Sequence, residues 1–139
     1  MSKENVEIVR RVMETFQAGW ERGDPTAFDW ASHIAPDAEW IPAPELVGPA
    51  VYQGVDGWIK FMRTWTEDFE DWSSRIERLI DAGDNRVVAI TRQSATGKGS
   101  GVPVDLHHGS VFELEDGRII RMQIYGNAKE ALEAAGLQG

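Results

Sequence analysis

Two side chains of this sequence, His108 and Arg92, have the chemistry of a catalytic or binding site. A histidine on an apolar strand can titrate near neutral pH and act as a general base or acid. An arginine stays charged and donates hydrogen bonds in a fork, so it could hold a carboxylate or stabilise an enolate. Each also has a structural interpretation: His108 hydrogen-bonded to a neighbouring strand, and Arg92 paired with an acid such as Glu39. The residues alone leave both interpretations open.

Several other kinds of chemistry are excluded. The chain has no cysteine, which excludes thiol nucleophiles, CxxC redox motifs and cysteine metal sites. Adjacent residues of a strand point to opposite faces, so His107 and His108 cannot share a metal ion. The glycine-rich run 97–101 lacks the spacing and the strand-to-helix context of a phosphate loop, and it predicts a hairpin loop instead. We therefore predict neither a metal site nor a cofactor.

Length, composition and charge indicate the class of protein to which these residues belong. The 139 residues, 42% hydrophobic and 27% charged, predict one domain over residues 1–139. A net charge of −9 without any basic stripe argues against nucleic-acid binding. The start is polar and no apolar run approaches the length of about 18 residues that a membrane span needs. We therefore expect no membrane span, no signal peptide and a cytoplasmic location.

The apolar residues of the first half recur at helical spacing. They indicate a first helix beginning at Ser2, a second short helix from Asp24 to about His33, and a third, rich in aromatic residues, beginning near Val55. Asn127 is a suitable N-cap for a last short helix over residues 128–135. A short strand is predicted over residues 38–41.

From Ser73 onward the hydrophobic period is that of strands. Turn signals at residues 83–85, 97–101 and 116–117 divide this part into four antiparallel strands. An open sheet needs its apolar face covered, and the stripes available belong to the first three helices. The sequence thus predicts an α+β cone, with a curved antiparallel sheet wrapped around three N-terminal helices.

The parity of each strand predicts which side chains point into the cone. In the last two strands most even-numbered positions are apolar and most odd ones polar, so the inner face has the even positions. These include His108, Ser110, Phe112, Met122 and Ile124. The continuous apolar run 87–90 leaves the parity of its strand undecided, because a strand covered on both faces has such a run.

All six tryptophans fall within the first 72 residues, the helical part of the chain. The predicted helix faces that meet the sheet carry apolar and aromatic side chains: Met13, Phe16, Trp20, Trp58, Phe61 and Trp65. Trp40 occupies the short strand beside the expected pocket entrance. Core packing explains most of them, but a cavity with such walls suits a flat or cyclic apolar ligand.

The order of elements and four segments resemble the SnoaL-like branch of the nuclear transport factor 2-like superfamily. The segments are 4–11 (ENVEIVRR), 80–84 (IDAGD), 115–119 (EDGRI) and 130–137 (EALEAAGL). The resemblance covers nearly the whole chain and implies a deep pocket between sheet and helices, with a homodimer formed through the convex face of the sheet. The family includes cyclases, ketosteroid isomerases, epoxide hydrolases and dehydratases, so the fold does not name a reaction.

The residues that carry the family's reactions are mostly replaced here. The base, acid and tyrosine positions of the ketosteroid isomerases fall at residues 41–43, Ser110 and Phe16, and the acid of the cyclases also falls near Ser110. Of the epoxide hydrolase set, Arg92 is retained, while Ser94 and Ile124 occupy the aspartate positions. This last match implies that Arg92 and Ser94 face inward.

Two hypotheses follow. In the first, the protein is a cofactor-independent isomerase, cyclase or hydratase that acts on a small apolar cyclic or carbonyl compound, with His108 as proton carrier and Arg92 as anion anchor. In the second, it is a non-catalytic ligand-binding or dimerisation module of the same fold. An open cavity that reaches both residues would favour the first.

Overall fold

The computed structural model describes residues 2–21, 33–43, 51–67 and 69–137. The elements are α1 (Ser2–Glu21), β1 (Ile34–Ile41), β2 (Tyr52–Gln53), α2 (Gly54–Thr66), β3 (Phe69–Gly83), β4 (Arg86–Gly97), β5 (Pro103–Glu115), β6 (Arg118–Tyr125) and α3 (Ala128–Ala134). The first, third and last predicted helices are confirmed as α1, α2 and α3, and the four long strands as β3 to β6. The predicted helix from Asp24 lies outside the described residues, apart from His33 at its end.

The strands form one six-stranded sheet in the order β2-β1-β6-β5-β4-β3. Neighbouring strands are antiparallel except β1 and β6, which run parallel, with Trp40 opposite Met122. The prediction of a wholly antiparallel sheet is therefore wrong at this pair. A parallel pair needs a long crossover connection, and here α2 and four strands, β2 to β5, lie between β1 and β6 along the chain.

Two tight turns connect β3 to β4 and β5 to β6, as predicted. Asp84 and Asn85 have φ of 52° and 60°, and Asp116 and Gly117 have φ of 51° and 76°. Two successive residues at positive φ are the mark of the hairpin turn that matches the twist of the strands. Aspartate, asparagine and glycine are the residue types that tolerate this conformation at least cost.

The two faces of the sheet are covered by different helices. On the inner face, defined as the face packed against α1 and α2, Val9 and Trp58 join a core with Val87, Ala89 and Phe112. On the opposite, outer face, α3 packs against a second core of buried residues: Val88, Ile90, Val111, Ala131, Leu132 and Ala135. Residues 87–90 are thus covered on both sides, which explains their unbroken apolar run.

Close approach of α3 to the sheet depends on a glycine in β5. A Cβ atom on Gly109 would lie 2.5 Å from the Cβ of Ala131 and 3.2 Å from Cδ1 of Ile90. Asn127 caps α3, its side chain accepting a 2.9 Å hydrogen bond from the backbone N–H of Glu130, which confirms the predicted cap. The helix therefore begins at a fixed point and lies directly on β5.

Candidate functional site

A cavity of about 370 Å³ lies between α1, α2 and the inner face of the sheet. Ten of the predicted site residues line it: Met13, Phe16, Trp40, Trp58, Phe61, His108, Ser110, Phe112, Met122 and Ile124. The side chains of Trp20 and Trp65 lie outside the described residues. The structure thus brings most of the predicted set into one site and leaves out Arg92 and Ser94.

The wall formed by the helices and β1 is aromatic. Trp58 packs against Trp40 with ring centroids 4.9 Å apart and against the edge of Phe16 at 5.2 Å. Phe16 also meets Trp72 at 5.7 Å. The indole N–H of Trp40 donates a 2.9 Å hydrogen bond to the carbonyl oxygen of Gly54, which fixes that ring. Rings held in this way offer large flat apolar surfaces to the cavity.

The wall formed by the central strands carries three buried polar side chains. Thr91, His108 and Ser110 are 3%, 4% and 7% exposed. The pairing of β4 with β5 places Thr91 opposite His108, and Ser110 follows on the same face because side chains alternate along a strand. Predicted parity is confirmed for β5 and for Met122 and Ile124 of β6, but a register shift places Ile119, an odd position, opposite Leu114. Hydroxyl and imidazole groups are therefore gathered on the wall that the central strands form.

His108 is the unusual member of this group. Neither ring nitrogen has a hydrogen-bond partner among the residues that the structure describes. Burial and, to a lesser degree, the charge of His107 lower the pKa of His108 to about 4. The imidazole is therefore neutral at pH 7, with one nitrogen that donates and one that accepts. The structural interpretation, in which a neighbouring strand satisfies His108, finds no such partner in the described part of the chain.

Arg92 lies on the outer face, so the prediction that it faces inward is wrong. Its register partner is His107, which is on the face opposite to that of His108. Its Nε donates to Glu77 and its Nη1 to Asp105, each at 3.2 Å. These contacts support the structural interpretation of Arg92 as an ion-pair partner. The acids that it contacts are Glu77 and Asp105 rather than Glu39. With 42% of its side chain exposed, Arg92 cannot anchor a ligand in the cavity.

The prediction that Ser94 faces inward is wrong as well. Its hydroxyl lies 2.9 Å from that of Ser73 in an exposed position, and the cavity is lined instead by Thr91 and Gln93. The register of the β4–β5 hairpin decides the parity of β4. Gly97 and Val102 close the hairpin, with the N–H of Gly97 donating to the carbonyl oxygen of Val102 at 2.8 Å. That register pairs odd positions of β4 with even positions of β5.

The outer-face charges form a cluster of their own. Glu77 accepts from Arg92 and lies 2.6 Å from Nε2 of His107. Desolvation acts to raise the pKa of Glu77, but the hydrogen bonds from Arg92 and His107 outweigh it and leave the pKa lowered. This cluster is separated from the cavity by the sheet, so it does not take part in the chemistry of the site.

Trp72 is a wall residue that the sequence did not reveal. The predicted strand began at Ser73, whereas β3 begins at Phe69 and carries a bulge in which Asp71 has a φ of 53°. A bulge re-aims the neighbouring side chain. Trp72 turns into the cavity, where its indole N–H donates a 3.2 Å hydrogen bond to the Gln93 side chain.

No cluster of three or more potential metal ligands occurs within residues 2–21, 33–43, 51–67 and 69–137. Over the same ranges, no helix is long and apolar enough to cross a membrane. The described lining offers aromatic rings for stacking, and its imidazole, hydroxyl and amide side chains can form hydrogen bonds.

Several solved structures share this fold. An NTF2-like protein of unknown function from Burkholderia pseudomallei is 21% identical, with a TM-score of 0.71 over 94% of this chain and 95% of that chain. A putative SnoaL-like polyketide cyclase from Jannaschia sp. CCS1 is 24% identical, with a TM-score of 0.68 over 89% and 85%. TerC, co-crystallised with polyporic acid, is 18% identical, with a TM-score of 0.72 over 89% and 92%.

Comparison of the sequence with family models assigns the chain to a family. None of the curated proteins matches it. The family model described as SnoaL-like domain matches residues 9–122, which run from the middle of α1 to β6 and include nearly every lining residue of the cavity. The protein therefore belongs to the SnoaL-like domain family, and it has the fold of the NTF2-like structures.

Proposed function

We propose that this protein binds a small, flat and largely apolar molecule in the cavity, with a neutral carbonyl or hydroxyl group of the ligand hydrogen-bonded to His108. The observation that carries the proposal is the buried imidazole, which lines the cavity and whose two nitrogens have no partner among the described residues. Thr91 and Ser110 lie beside it on the same face. A ligand would complete these hydrogen bonds.

The energetics favour such a ligand. Leaving a buried donor or acceptor unsatisfied costs about 1–3 kcal/mol, so a ligand that supplies partners to the imidazole removes a cost that the free protein carries. The cavity of about 370 Å³ lies within the range of about 300–1,000 Å³ of small-molecule sites. Its aromatic wall favours rings that can stack. The co-crystallisation of TerC with polyporic acid supports a ligand-binding role for a protein of this fold.

A second candidate function is acid–base turnover of a bound carbonyl compound, as a cofactor-independent isomerase, cyclase or hydratase. The unpartnered nitrogens of His108 favour it, because they are placed to exchange a proton with a ligand. Against it stands the pKa of about 4, since general bases work best with a pKa near the working pH. Among the described residues that line the cavity, the one carboxylate that could act as a base instead is that of Glu14, which is exposed. Binding is therefore our first proposal.

The proposal is tested by thermal denaturation of the protein with a library of cyclic ketones, lactones and aromatic acids. We expect at least one compound to raise the Tm, since a ligand at a hundred times its Kd stabilises the folded state by about 2.7 kcal/mol. The same compound should shift the Tm of His108→Leu less. A library without any stabilising member would contradict the proposal.

Two further measurements give the test its control and separate the two functions. Ile124→Trp should fill the cavity and abolish the shift, and circular dichroism would establish that the variant is folded. Chromatography of each stabilising compound after incubation shows whether product forms. Product that disappears in His108→Gln would favour turnover, whereas unchanged compound would favour binding alone.

We also propose that the protein forms a homodimer through the outer face of the sheet, in the part that α3 leaves uncovered. The side chains there are ion-paired and half-exposed, as in Arg92 and Glu77, so the interface would be polar. Light scattering coupled to size-exclusion chromatography should give twice the mass of the chain. A monomer at micromolar concentration would contradict the proposal.

A further inference from the structure

The cavity wall has a second polar position besides that of His108. Gln93 lines the cavity and pairs with Leu106 of β5, while Thr91, two residues earlier, pairs with His108. Side chains two residues apart on a strand share a face, so Gln93 and His108 are diagonal neighbours on the inner face. Residues in this relation are about 7–8 Å apart. The wall therefore presents two separate polar groups to one ligand.

Trp72 determines which end of the Gln93 amide remains for a ligand. The indole N–H of Trp72 donates a 3.2 Å hydrogen bond to Oε1 of Gln93. An indole can only donate, so the opposite orientation of the amide would set two donors against each other. The Nε2 group of Gln93 has no partner within the described part of the chain. The end of the amide that remains for a ligand is therefore its donor end.

Trp72 is itself held in place by packing. It is 8% exposed, and its ring meets that of Phe16 in α1 with centroids 5.7 Å apart. A hydroxyl or a carboxylate could satisfy this buried indole as well as an amide does. The indole thus accounts for an acceptor at position 93, but not for the NH2 group that glutamine adds. The donors of Gln93 are oriented by the protein before a ligand arrives, which lowers the entropic cost of binding.

We infer that Gln93 and Trp72 form a second subsite of the cavity, and that the ligand places a carbonyl oxygen there, across a ring system from the group that His108 binds. This inference rests on the proposed ligand-binding function and narrows the ligand to a neutral aromatic compound with two oxygen functions. The neutral imidazole can donate or accept, so it takes a hydroxyl or a carbonyl group. The amide NH2 only donates, so it takes an acceptor. Neither subsite has a charge that would compensate the burial of an ion.

Three compounds with two fused rings test the inference. In 7-hydroxycoumarin a hydroxyl and a lactone carbonyl lie at opposite ends of the rings. In 2,7-dihydroxynaphthalene a second hydroxyl takes the place of the carbonyl, and 2-naphthol has one hydroxyl only. Each can be titrated into the full chain by its own fluorescence. We expect 7-hydroxycoumarin to bind most tightly and 2-naphthol least, with about tenfold between their Kd values for one added hydrogen bond.

Two variants change the second subsite in different ways. Gln93→Glu keeps the size of the side chain and an acceptor for the indole of Trp72, but it replaces the donor end by an acceptor. The Kd of 7-hydroxycoumarin should rise about tenfold, that of 2-naphthol should stay within about twofold, and that of 2,7-dihydroxynaphthalene should fall because its second hydroxyl can donate to the carboxylate. Trp72→Phe removes the N–H that orients the amide, so it should reduce the preference for the carbonyl compound over the dihydroxy compound.

Gln123→Glu is the matched control for charge. Gln123 pairs with Val111, which belongs to the core on the outer face, and it does not line the cavity. The variant therefore adds the same charge away from the ligand and should leave all three Kd values within about twofold. Circular dichroism establishes that each variant is folded.

The outcomes separate the inference from the function on which it rests. If 7-hydroxycoumarin binds no more tightly than 2-naphthol, or if Gln93→Glu leaves the ratio of their Kd values unchanged, the inference is overturned and the binding function stands. The same holds if Gln123→Glu reproduces the change or if Trp72→Phe keeps the full preference. If none of the three compounds binds while the ligand library contains a stabilising compound, the inference alone is overturned. A library without such a compound overturns both.

Discussion

Thr91 lies directly opposite His108 in the β4–β5 pair, so that a hydroxyl and an imidazole share the inner face of the sheet where it lines the cavity. Both are nearly inaccessible, at 3% and 4% exposure. Selection for stability alone would favour apolar side chains at two positions as buried as these. The pair is better explained as the polar part of a binding site, and it can be tested through the stability of the protein.

Replacing His108 with leucine should stabilise the protein without ligand. The substitution removes two buried nitrogens that have no partner in the described chain and keeps a similar volume. We expect the free energy of unfolding in urea at pH 7 to rise by about 1 kcal/mol. His107→Leu, on the exposed face, removes a contact with Glu77 and should not stabilise. A large loss of stability in His108→Leu would mean that the imidazole is satisfied.

Stability should fall as the pH is lowered from about 6.5 to about 4. The pKa of His108 is about 4 in the folded protein, against the ordinary value of 6.5 for a histidine. Between these values the unfolded chain binds a proton that the folded protein does not, which favours unfolding. The loss reaches about 3 kcal/mol, at 1.36 kcal/mol for each unit.

The contribution of His108 is isolated by comparison with His108→Gln, which keeps the other titrating groups. Urea unfolding at several pH values should give a shallower acid loss in the variant. An NMR titration of the imidazole provides the direct measurement. A midpoint near 6.5 for His108 would contradict the low pKa.

Adjacent residues of β4 should give opposite results in ligand binding. Thr91→Leu alters the cavity wall and should weaken any ligand found, whereas Arg92→Gln acts on the outer face and should leave the Kd unchanged. Because the ion pairs of Arg92 are exposed, its substitution should change the free energy of unfolding by less than about 1 kcal/mol. Isothermal titration and urea unfolding measure the two effects. The reverse pattern would mean that β4 has the other register.

Substituting alanine for Gly109 should destabilise the protein by separating α3 from the sheet. The new Cβ would lie 2.5 Å from that of Ala131, and overpacking of this kind costs about 1–3 kcal/mol. Ala131→Gly in the same chain removes the clashing methyl group and should recover part of the loss, after allowance for the cost of glycine in a helix. Losses that simply add would contradict direct contact between the two positions.

Sequence patterns were most informative where one face of an element is covered and the other is open. The alternation of β5 and β6 assigned His108, Ser110 and Met122 to the cavity correctly. It could not assign β4, because α3 covers the back of residues 87–90 and removes the contrast between the faces. Arg92 was then placed by resemblance alone, one residue out of register, and a one-residue shift reverses every side chain.

The remaining errors have local causes. The parallel pairing of β1 with β6 depends on a crossover through most of the chain, which no short pattern encodes. Trp72 enters the cavity because of the bulge at Asp71, and a positive φ at an aspartate has no reliable sequence signal. That Trp20 and Trp65 line the cavity stays a prediction, since their side chains lie outside the described part of the chain.

The position of α3 divides β4 into two segments that differ in burial. Residues 87–90 are buried on both faces. In residues 91–97, Thr91 and Gln93 line the cavity on one face, and the other face carries half-exposed or exposed side chains such as Arg92 and Ser94. Amide hydrogen exchange should therefore be slowest in the first segment and faster in the second. Thr91 and Gln93 of the cavity wall therefore belong to the segment in which we expect the faster exchange.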